Sequence, residues 1–126
     1  MRRRDLLLVE DNAANRDYLI ALLRAAGHRV VAARDGTEGL SRLYDRRWDA
    51  VLLDWQLPGI DGLALLRALR GLAQREGWPP TPVVIVTAHA SPAHRQACEE
   101  AGVDAYLAKP FTADELEAVL RRVLDT

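Results

Sequence analysis

The clearest pattern in the sequence is an alternation, repeated five times, between short apolar runs and longer segments with helical spacing. Apolar runs without polar interruptions are typical of strands covered on both faces, as in parallel sheets. The segments between them repeat apolar residues every three or four positions, as amphipathic helices do. The pattern therefore predicts repeated βα units around a parallel sheet. The predicted strands are Leu6–Val9, Val30–Ala33, Ala50–Leu53, Val83–Val86 and, more weakly, Ala105–Ala108.

Several residues mark the expected ends of the helices. Gly27 is expected to end the first helix, and Ser91 with Pro92 supplies a cap and a first-turn proline for the fourth. Thr112 and Glu115 have the spacing of a capping box at the start of the last helix. The predicted core-facing residues of four helices are Leu19, Leu22, Leu23 and Ala26, then Leu40, Leu43 and Tyr44, then Leu65, Leu66 and Leu69, and finally Leu116, Val119, Leu120 and Val123.

Composition limits the classes of protein to consider. With 126 residues, 49% of them hydrophobic, the chain has the size of one compact domain, which we expect to span residues 1–126. The net charge of -1 gives no reason to expect direct nucleic-acid binding, and we interpret the arginines at 2–4 as a solvated terminus. Cys98 is the only cysteine, which excludes an internal disulfide. No apolar stretch is long enough to enter a membrane, so we expect a cytoplasmic protein.

Four of the five apolar runs end at residues with useful chemistry. Glu10 and Asp11 follow the first run, Asp54 the third, Thr87 the fourth and Lys109 the fifth. Open parallel sheets bind ligands beyond the carboxyl ends of their strands. In a sheet of order 2-1-3-4-5, the first and third strands are neighbours, so their three carboxylates are expected to meet.

Three clustered carboxylates repel one another unless a proton, a nearby cation or a bound metal stabilises them. Oxygen ligands favour Mg²⁺, which usually takes one or two carboxylates together with a phosphoryl oxygen. Thr87 can hydrogen-bond such an oxygen, and Lys109 can offset its charge. Lys109 is the only lysine among 17 basic Lys and Arg residues, which favours a specific need for an ammonium group there. The cluster is thus a candidate site for phosphoryl chemistry.

Four motifs together resemble one family across essentially the whole chain. They are Val9-Glu-Asp-Asn12, Asp54-Trp-Gln-Leu-Pro-Gly-Ile-Asp-Gly62, Val86-Thr-Ala88 and Tyr106-Leu-Ala-Lys-Pro-Phe111. The sequence resembles the receiver domains of two-component response regulators and hybrid histidine kinases. The resemblance implies an α/β fold: a single doubly wound (βα)5 flavodoxin-like domain with a five-stranded parallel sheet of order 2-1-3-4-5.

The resemblance also implies a role for each residue of the site. Asp54 would be the phosphoacceptor, and Thr87 and Lys109 would contact the phosphoryl group. The implied Mg²⁺ ligands are Asp11 and Asp54, Glu10 through a water molecule, and the backbone carbonyl of Gln56. The bond between Lys109 and Pro110 is expected to be cis.

The implied function is a switch in two-component signalling, in which the chain catalyses only its own phosphorylation and dephosphorylation. Asp54 would attack a phosphohistidine of a histidine kinase or histidine phosphotransfer protein and become an acyl phosphate. Thr87 would then move, Tyr106 would turn into the vacated space, and the surface of the last two strand-helix units would change. An output domain or effector protein would respond to that surface.

Two other functions stay open from the sequence. An enzyme of the haloacid dehalogenase type also uses a strand-end aspartate under Mg²⁺, but it needs a second acid where this chain has Gln56. A degenerate receiver would bind partners without being phosphorylated, although the acidic residues, Thr87 and Lys109 argue against this. Considered one at a time, these residues also have purely structural explanations. The acids would be solvated charges at strand ends or helix N-termini, Thr87 would be a helix cap, and Tyr106 would be a half-buried sheet residue.

Several further residues lie in or near the motifs. Trp55 either covers the site or contributes to a partner surface. Gly59 and Gly62 are interpreted as permitting tight backbone geometry after the third strand. The remaining candidates, which are interpreted as structural or surface residues, are His28, His89, His94 and Cys98. The resemblance adds that His89 lies two positions beyond Thr87, where side chains in the family influence access to the phosphoryl group.

Overall fold

The computed structural model describes residues 3–55, 57, 60–88 and 91–124. Strands and helices alternate along these residues, as the apolar pattern predicts. Each predicted strand is found within one residue of its expected bounds. The elements are β1 (Asp5–Val9), α1 (Ala13–Ala25), β2 (Arg29–Ala33), α2 (Gly36–Leu43), β3 (Ala50–Leu53), α3 (Gly62–Glu76), β4 (Val83–Thr87), α4 (Pro92–Glu100), β5 (Ala105–Ala108) and α5 (Ala113–Leu124).

The strands form one parallel sheet in the order β2-β1-β3-β4-β5, which confirms the predicted doubly wound, flavodoxin-like fold. β1 lies between β2 and β3, so the connection from β2 to β3 crosses over β1. The order in which strands are added to the sheet reverses at this point. Val9, the last residue of β1, pairs with Leu53, the last residue of β3. The residues that follow these two strands consequently leave the sheet side by side.

Helices cover both faces of the sheet and create two cores. Alternation along β1 sends Leu6 and Leu8 into one core and Leu7 and Val9 into the other. The first core packs against α1 and α5, and the second against α2, α3 and α4. Burial on both sides explains why the central strands are continuously apolar. The edge strand β5 instead alternates buried and half-buried residues, which accounts for its weaker apolar signal.

The predicted helix ends are confirmed. Gly27, with φ of 92°, follows the end of α1 in the left-handed conformation that glycine adopts most readily. The Ser91 side chain accepts a hydrogen bond from the His94 amide at 3.1 Å. Thr112 and Glu115 form the reciprocal bonds of a capping box, at 3.0 and 3.1 Å.

One predicted core residue is wrong. Tyr44 was assigned to the buried stripe of α2, but its side chain is 53% exposed and it caps the end of that helix. The face of α2 that packs on the sheet carries Gly36, Gly39 and Leu43. A Cβ atom at Gly39 would lie 3.1 Å from the side chain of Val9, so small residues allow this close approach.

Among the described residues, no helix is long and apolar enough to cross a membrane.

Candidate functional site

Three acidic side chains meet at the carboxyl edge of the sheet. Glu10 and Asp11 directly follow β1, and Asp54 directly follows β3. One carboxylate oxygen from each lies within 4.8 Å of the others. Glu10 is buried, Asp54 is half-buried and Asp11 is exposed. The adjacency of β1 and β3 therefore produces the carboxylate cluster that the strand order predicts.

Lys109 reaches this cluster from the end of β5. Its Nζ atom lies 2.5 Å from Oε1 of Glu10 and 3.4 Å from Oδ2 of Asp54. Its backbone amide donates to the Thr87 carbonyl at 2.8 Å, which fixes the start of the segment after β5. The bond to Pro110 is cis, as predicted. Of the three ways to stabilise clustered carboxylates, a nearby cation is thus present in the protein itself.

Glu10 has the most confined of the three carboxylates. Its Oε2 atom accepts a hydrogen bond from the Asn12 amide at 3.2 Å. Burial raises the pKa of Glu10, the hydrogen bonds from Lys109 and Asn12 oppose that rise, and the charge of Asp54 adds to it. A further cation at this edge would favour the ionised carboxylates, and oxygen-only ligands suit Mg²⁺.

Two glycines support the backbone that carries Asp54. The Asp54 amide donates to the Val9 carbonyl at 3.1 Å, and the Gly62 amide donates to the Trp55 carbonyl at 3.0 Å. A Cβ atom at Gly62 would lie 2.8 Å from Cα of Trp55, which explains the glycine that the sequence associated with tight geometry. A Cβ atom at Gly36 would lie only 1.8 Å from the Ile60 carbonyl oxygen. No local sequence pattern indicates this second contact, because Gly36 belongs to another helix.

Three predicted positions lie outside the described residues: the Gln56 carbonyl, Gly59 and His89.

Thr87 and Tyr106 occupy the same face of the sheet. Tyr106 of β5 pairs with Ile85 of β4, and Thr87 lies two residues beyond Ile85. Because side chains alternate along a strand, Ile85, Thr87 and Tyr106 all point towards the core formed with α2, α3 and α4. Thr87 is fully buried and Tyr106 is half-buried. Burial raises the pKa of Tyr106 above its usual value.

His94, interpreted from the sequence as a structural or surface residue, contacts two aromatic side chains. Its Nδ1 atom lies 2.8 Å from the hydroxyl oxygen of Tyr106. Its ring also packs nearly perpendicular to the ring of Trp55, with 6.0 Å between centroids. Since the three rings come from β5, α4 and the segment after β3, no spacing within one element could reveal their contact. Trp55, whose role was open, therefore packs against α4.

Comparison with known proteins decides the family. Residues 6–121 match the family described as the response regulator receiver domain. The chain belongs to this family. Its receiver domain is therefore a phosphoacceptor module of two-component phosphotransfer and not an enzyme with an external substrate, which sets aside the dehalogenase interpretation. Receiver domains have histidine kinases as partners.

Relatives of this receiver domain include parts of longer proteins. It is 39% identical to the sensory/regulatory protein RpfC of Xanthomonas campestris over 116 residues, which cover 92% of this chain and 16% of RpfC. It is 44% identical to the transcriptional activator protein PfeR of Pseudomonas aeruginosa over 122 residues, which cover 94% of this chain and 38% of PfeR. The chain thus spans well under half of either relative.

A solved structure closely resembles this fold. The receiver domain of the sensor histidine kinase PA1611 from Pseudomonas aeruginosa superposes with a TM-score of 0.85 at 34% identity. The similarity covers 99% of this chain and 100% of that one. In that structure a magnesium ion is coordinated in the active-site cleft. The acidic cluster at the carboxyl edge of the present sheet is consistent with a site of that kind.

Proposed function

We propose that Asp54 is the residue that receives the phosphoryl group, from a histidine kinase or a histidine phosphotransfer protein. The observation that carries this proposal is the position of Lys109, whose ammonium group lies 3.4 Å from the Asp54 carboxylate. Among the three clustered acids, Asp54 combines partial exposure with that ammonium contact, whereas Glu10 is buried. We also propose that residues 1–126 act as one domain in the cytoplasm.

The acidic cluster is suited to hold Mg²⁺. We assign Asp11 and Asp54 as direct ligands, Glu10 as a ligand through water, and the backbone carbonyl of Gln56 as a further ligand. Their donor atoms are all oxygen, the kind that Mg²⁺ prefers. Bound Mg²⁺ would supply positive charge that neutralises phosphoryl oxygens. The magnesium ion in the PA1611 receiver domain supports this assignment.

The transfer step uses the side chains at the edge of the sheet. A carboxylate oxygen of Asp54 forms a bond to phosphorus while the phosphorus–nitrogen bond of the phosphohistidine breaks, and the imidazole leaves with the electron pair. The product is an acyl phosphate on Asp54. Lys109 offsets the charge on the phosphoryl oxygens, and the Thr87 hydroxyl group donates a hydrogen bond to one of them.

The phosphorylated state changes the surface formed by α4, β5 and α5. Thr87 moves towards the phosphoryl group, and Tyr106 turns into the space that Thr87 leaves. The shared face of Thr87 and Tyr106 in neighbouring strands supports this coupling. A new charge at one strand end then alters packing two strands away. An output domain or an effector protein would read the altered surface.

Intact-mass measurement tests the assignment of Asp54. The chain is incubated with a small phosphodonor and Mg²⁺, beside its Asp54→Asn variant. We expect the unsubstituted chain to gain the mass of one phosphoryl group and the variant to gain none. Without Mg²⁺, the gain should be strongly reduced. An unsubstituted chain that gains no mass would overturn the proposal and favour a module that binds partners without phosphorylation.

A further inference from the structure

We propose that His94 is a positioning residue that holds Tyr106 in its resting place and so sets how readily phosphorylation changes the α4–β5 surface. The inference rests on the proposed function, because it concerns the turn of Tyr106 that phosphorylation of Asp54 would cause. It adds a residue of α4 to the coupling between Thr87 and Tyr106.

The backbone of His94 is fixed at the start of α4. The helix begins at Pro92, and Ser91 is its N-cap. The His94 amide donates to the Ser91 hydroxyl oxygen at 3.1 Å, which ties the first turn of the helix to its cap. The imidazole therefore extends from a defined point, and its ring can restrain a neighbouring side chain.

The contact with Tyr106 is polar and directional. The hydroxyl group of Tyr106 donates to Nδ1 of His94, 2.8 Å away, when that nitrogen carries no proton. Nε2 of His94 then carries the proton, and it is buried without a hydrogen-bond partner among the described residues. A buried polar atom without a partner is unfavourable, so an apolar ring would pack here at lower cost. The hydrogen bond with the Tyr106 hydroxyl group therefore distinguishes histidine from an apolar ring at this position.

His94 also contacts the segment that carries the phosphoacceptor. Its ring packs edge-on against Trp55, the residue after Asp54, with an interplanar angle of 88°. On Tyr106 itself, the guanidinium carbon of Arg95 lies 5.2 Å from the ring centre. Two consecutive residues of α4 therefore restrain one tyrosine, His94 at the hydroxyl group and Arg95 at the ring. Any turn of Tyr106 away from α4 must break the bond to Nδ1.

The test compares affinity for a phosphoryl mimic, beryllofluoride with Mg²⁺, by titration calorimetry. In the His94→Phe variant a ring remains to pack on Trp55, but no nitrogen is present to accept from Tyr106. Loss of the bond destabilises the resting position, so we expect the variant to bind the mimic about threefold to tenfold more tightly, the range that one net hydrogen bond corresponds to. Unchanged or weaker binding would overturn the inference.

Two further variants separate positioning from packing. His94→Asn places an amide oxygen near the position of Nδ1, so we expect it to restore the affinity of the unsubstituted chain. In a Tyr106→Phe background, which has no hydroxyl group, the His94→Phe substitution should have no further effect. An equal effect in that background would mean that His94 acts through its other neighbours, Trp55 or Cys98, which contradicts the inference.

Phosphorylation of the unsubstituted chain distinguishes the two proposals. If the chain gains a phosphoryl group but His94→Phe leaves its affinity for the mimic unchanged, the role of His94 is wrong and the role of Asp54 stands. If the chain neither gains a phosphoryl group nor binds the mimic, the proposed function is wrong, and the inference fails with it.

Discussion

At the scale of single residues, Lys109 shows how one side chain can serve two carboxylates. Its ammonium group contacts Glu10 and Asp54, and its side chain is only 13% exposed. Everywhere else the chain uses arginine as its basic residue. A guanidinium group is planar and forked, whereas an ammonium group is compact and directs its donors flexibly. The contacts explain in physical terms why the preference for arginine is broken at this position.

Removal of that charge should slow phosphorylation. We expect Lys109→Gln to reduce the rate of phosphorylation by a small phosphodonor about hundredfold, because a charge-stabilising contact to the phosphoryl group is lost. The rate of mass gain in intact-mass measurements gives the result. Arg34→Gln serves as a control, since the Arg34 side chain is 74% exposed and should leave the rate unchanged. Equal rates for both variants would contradict the role of Lys109.

At the scale of elements, the start of α2 and the start of α3 both press on the segment after β3. Gly36 begins α2 and lies against the Ile60 backbone, while Gly62 begins α3 and lies against the Trp55 backbone. Neither position has room for a Cβ atom. Gly71, in the middle of α3, has no atom within 4 Å of such a Cβ. The same substitution should therefore have opposite effects at Gly36 and Gly71.

Gly36→Ala and Gly71→Ala form a matched pair. We expect Gly36→Ala to lower the free energy of unfolding by about 1–3 kcal/mol, because the Ile60 backbone must shift. Gly71→Ala should raise it by about 0.5–1 kcal/mol, because alanine is the better helix former. Urea denaturation measures both values. A Gly36→Ala variant as stable as the unsubstituted chain would show that α2 does not constrain this segment.

Elements also show what sequence patterns can and cannot predict. Strands, caps and the carboxylate cluster follow from local periodicity and from strand order, so Ser91, Thr112 and Asp54 were placed correctly. Tyr44 was misplaced because periodicity does not reveal where a short helix ends. The contacts of Gly36 and His94 depend on residues distant in sequence, and no local pattern encodes them.

At the scale of the whole molecule, titratable groups are buried at both ends of the sheet. The cluster of Glu10, Asp11 and Asp54 lies at the carboxyl edge, and His28 is buried just before β2 at the amino edge. Neither of its ring nitrogens has a hydrogen-bond partner among the described residues. Burial, and then the charge of Arg4, lower the pKa of His28 below its usual value. The folded protein therefore resists protonation at a position remote from Asp54.

The lowered pKa of His28 predicts a loss of stability in mild acid. His28 is neutral in both states above its unfolded pKa of about 6.5. As the pH falls below that value, the unfolded chain binds the proton first, so the free energy of unfolding decreases by at most about 1.4 kcal/mol per pH unit from this group. Urea denaturation at about pH 7.5 and at about pH 5.5, on either side of the unfolded pKa, measures the decrease in the free energy of unfolding.

The His28→Leu variant isolates the contribution of this group. It should lose less stability than the unsubstituted chain between the two conditions, because no imidazole is left to protonate in the unfolded state. Other groups, including the buried carboxylate of Glu10, are common to both chains and cancel in the difference. Identical falls in the two chains would contradict the prediction.

The single lysine has a practical consequence for chemical labelling. Reagents that acylate amines will find only one side-chain target, and that target is shielded by its contacts with Glu10 and Asp54. Cross-linkers that join lysine side chains can consequently attach at only one side chain of the protein. The rate of acylation of the Lys109 amine, compared with that of the α-amino group, would measure how strongly the contacts with Glu10 and Asp54 shield it.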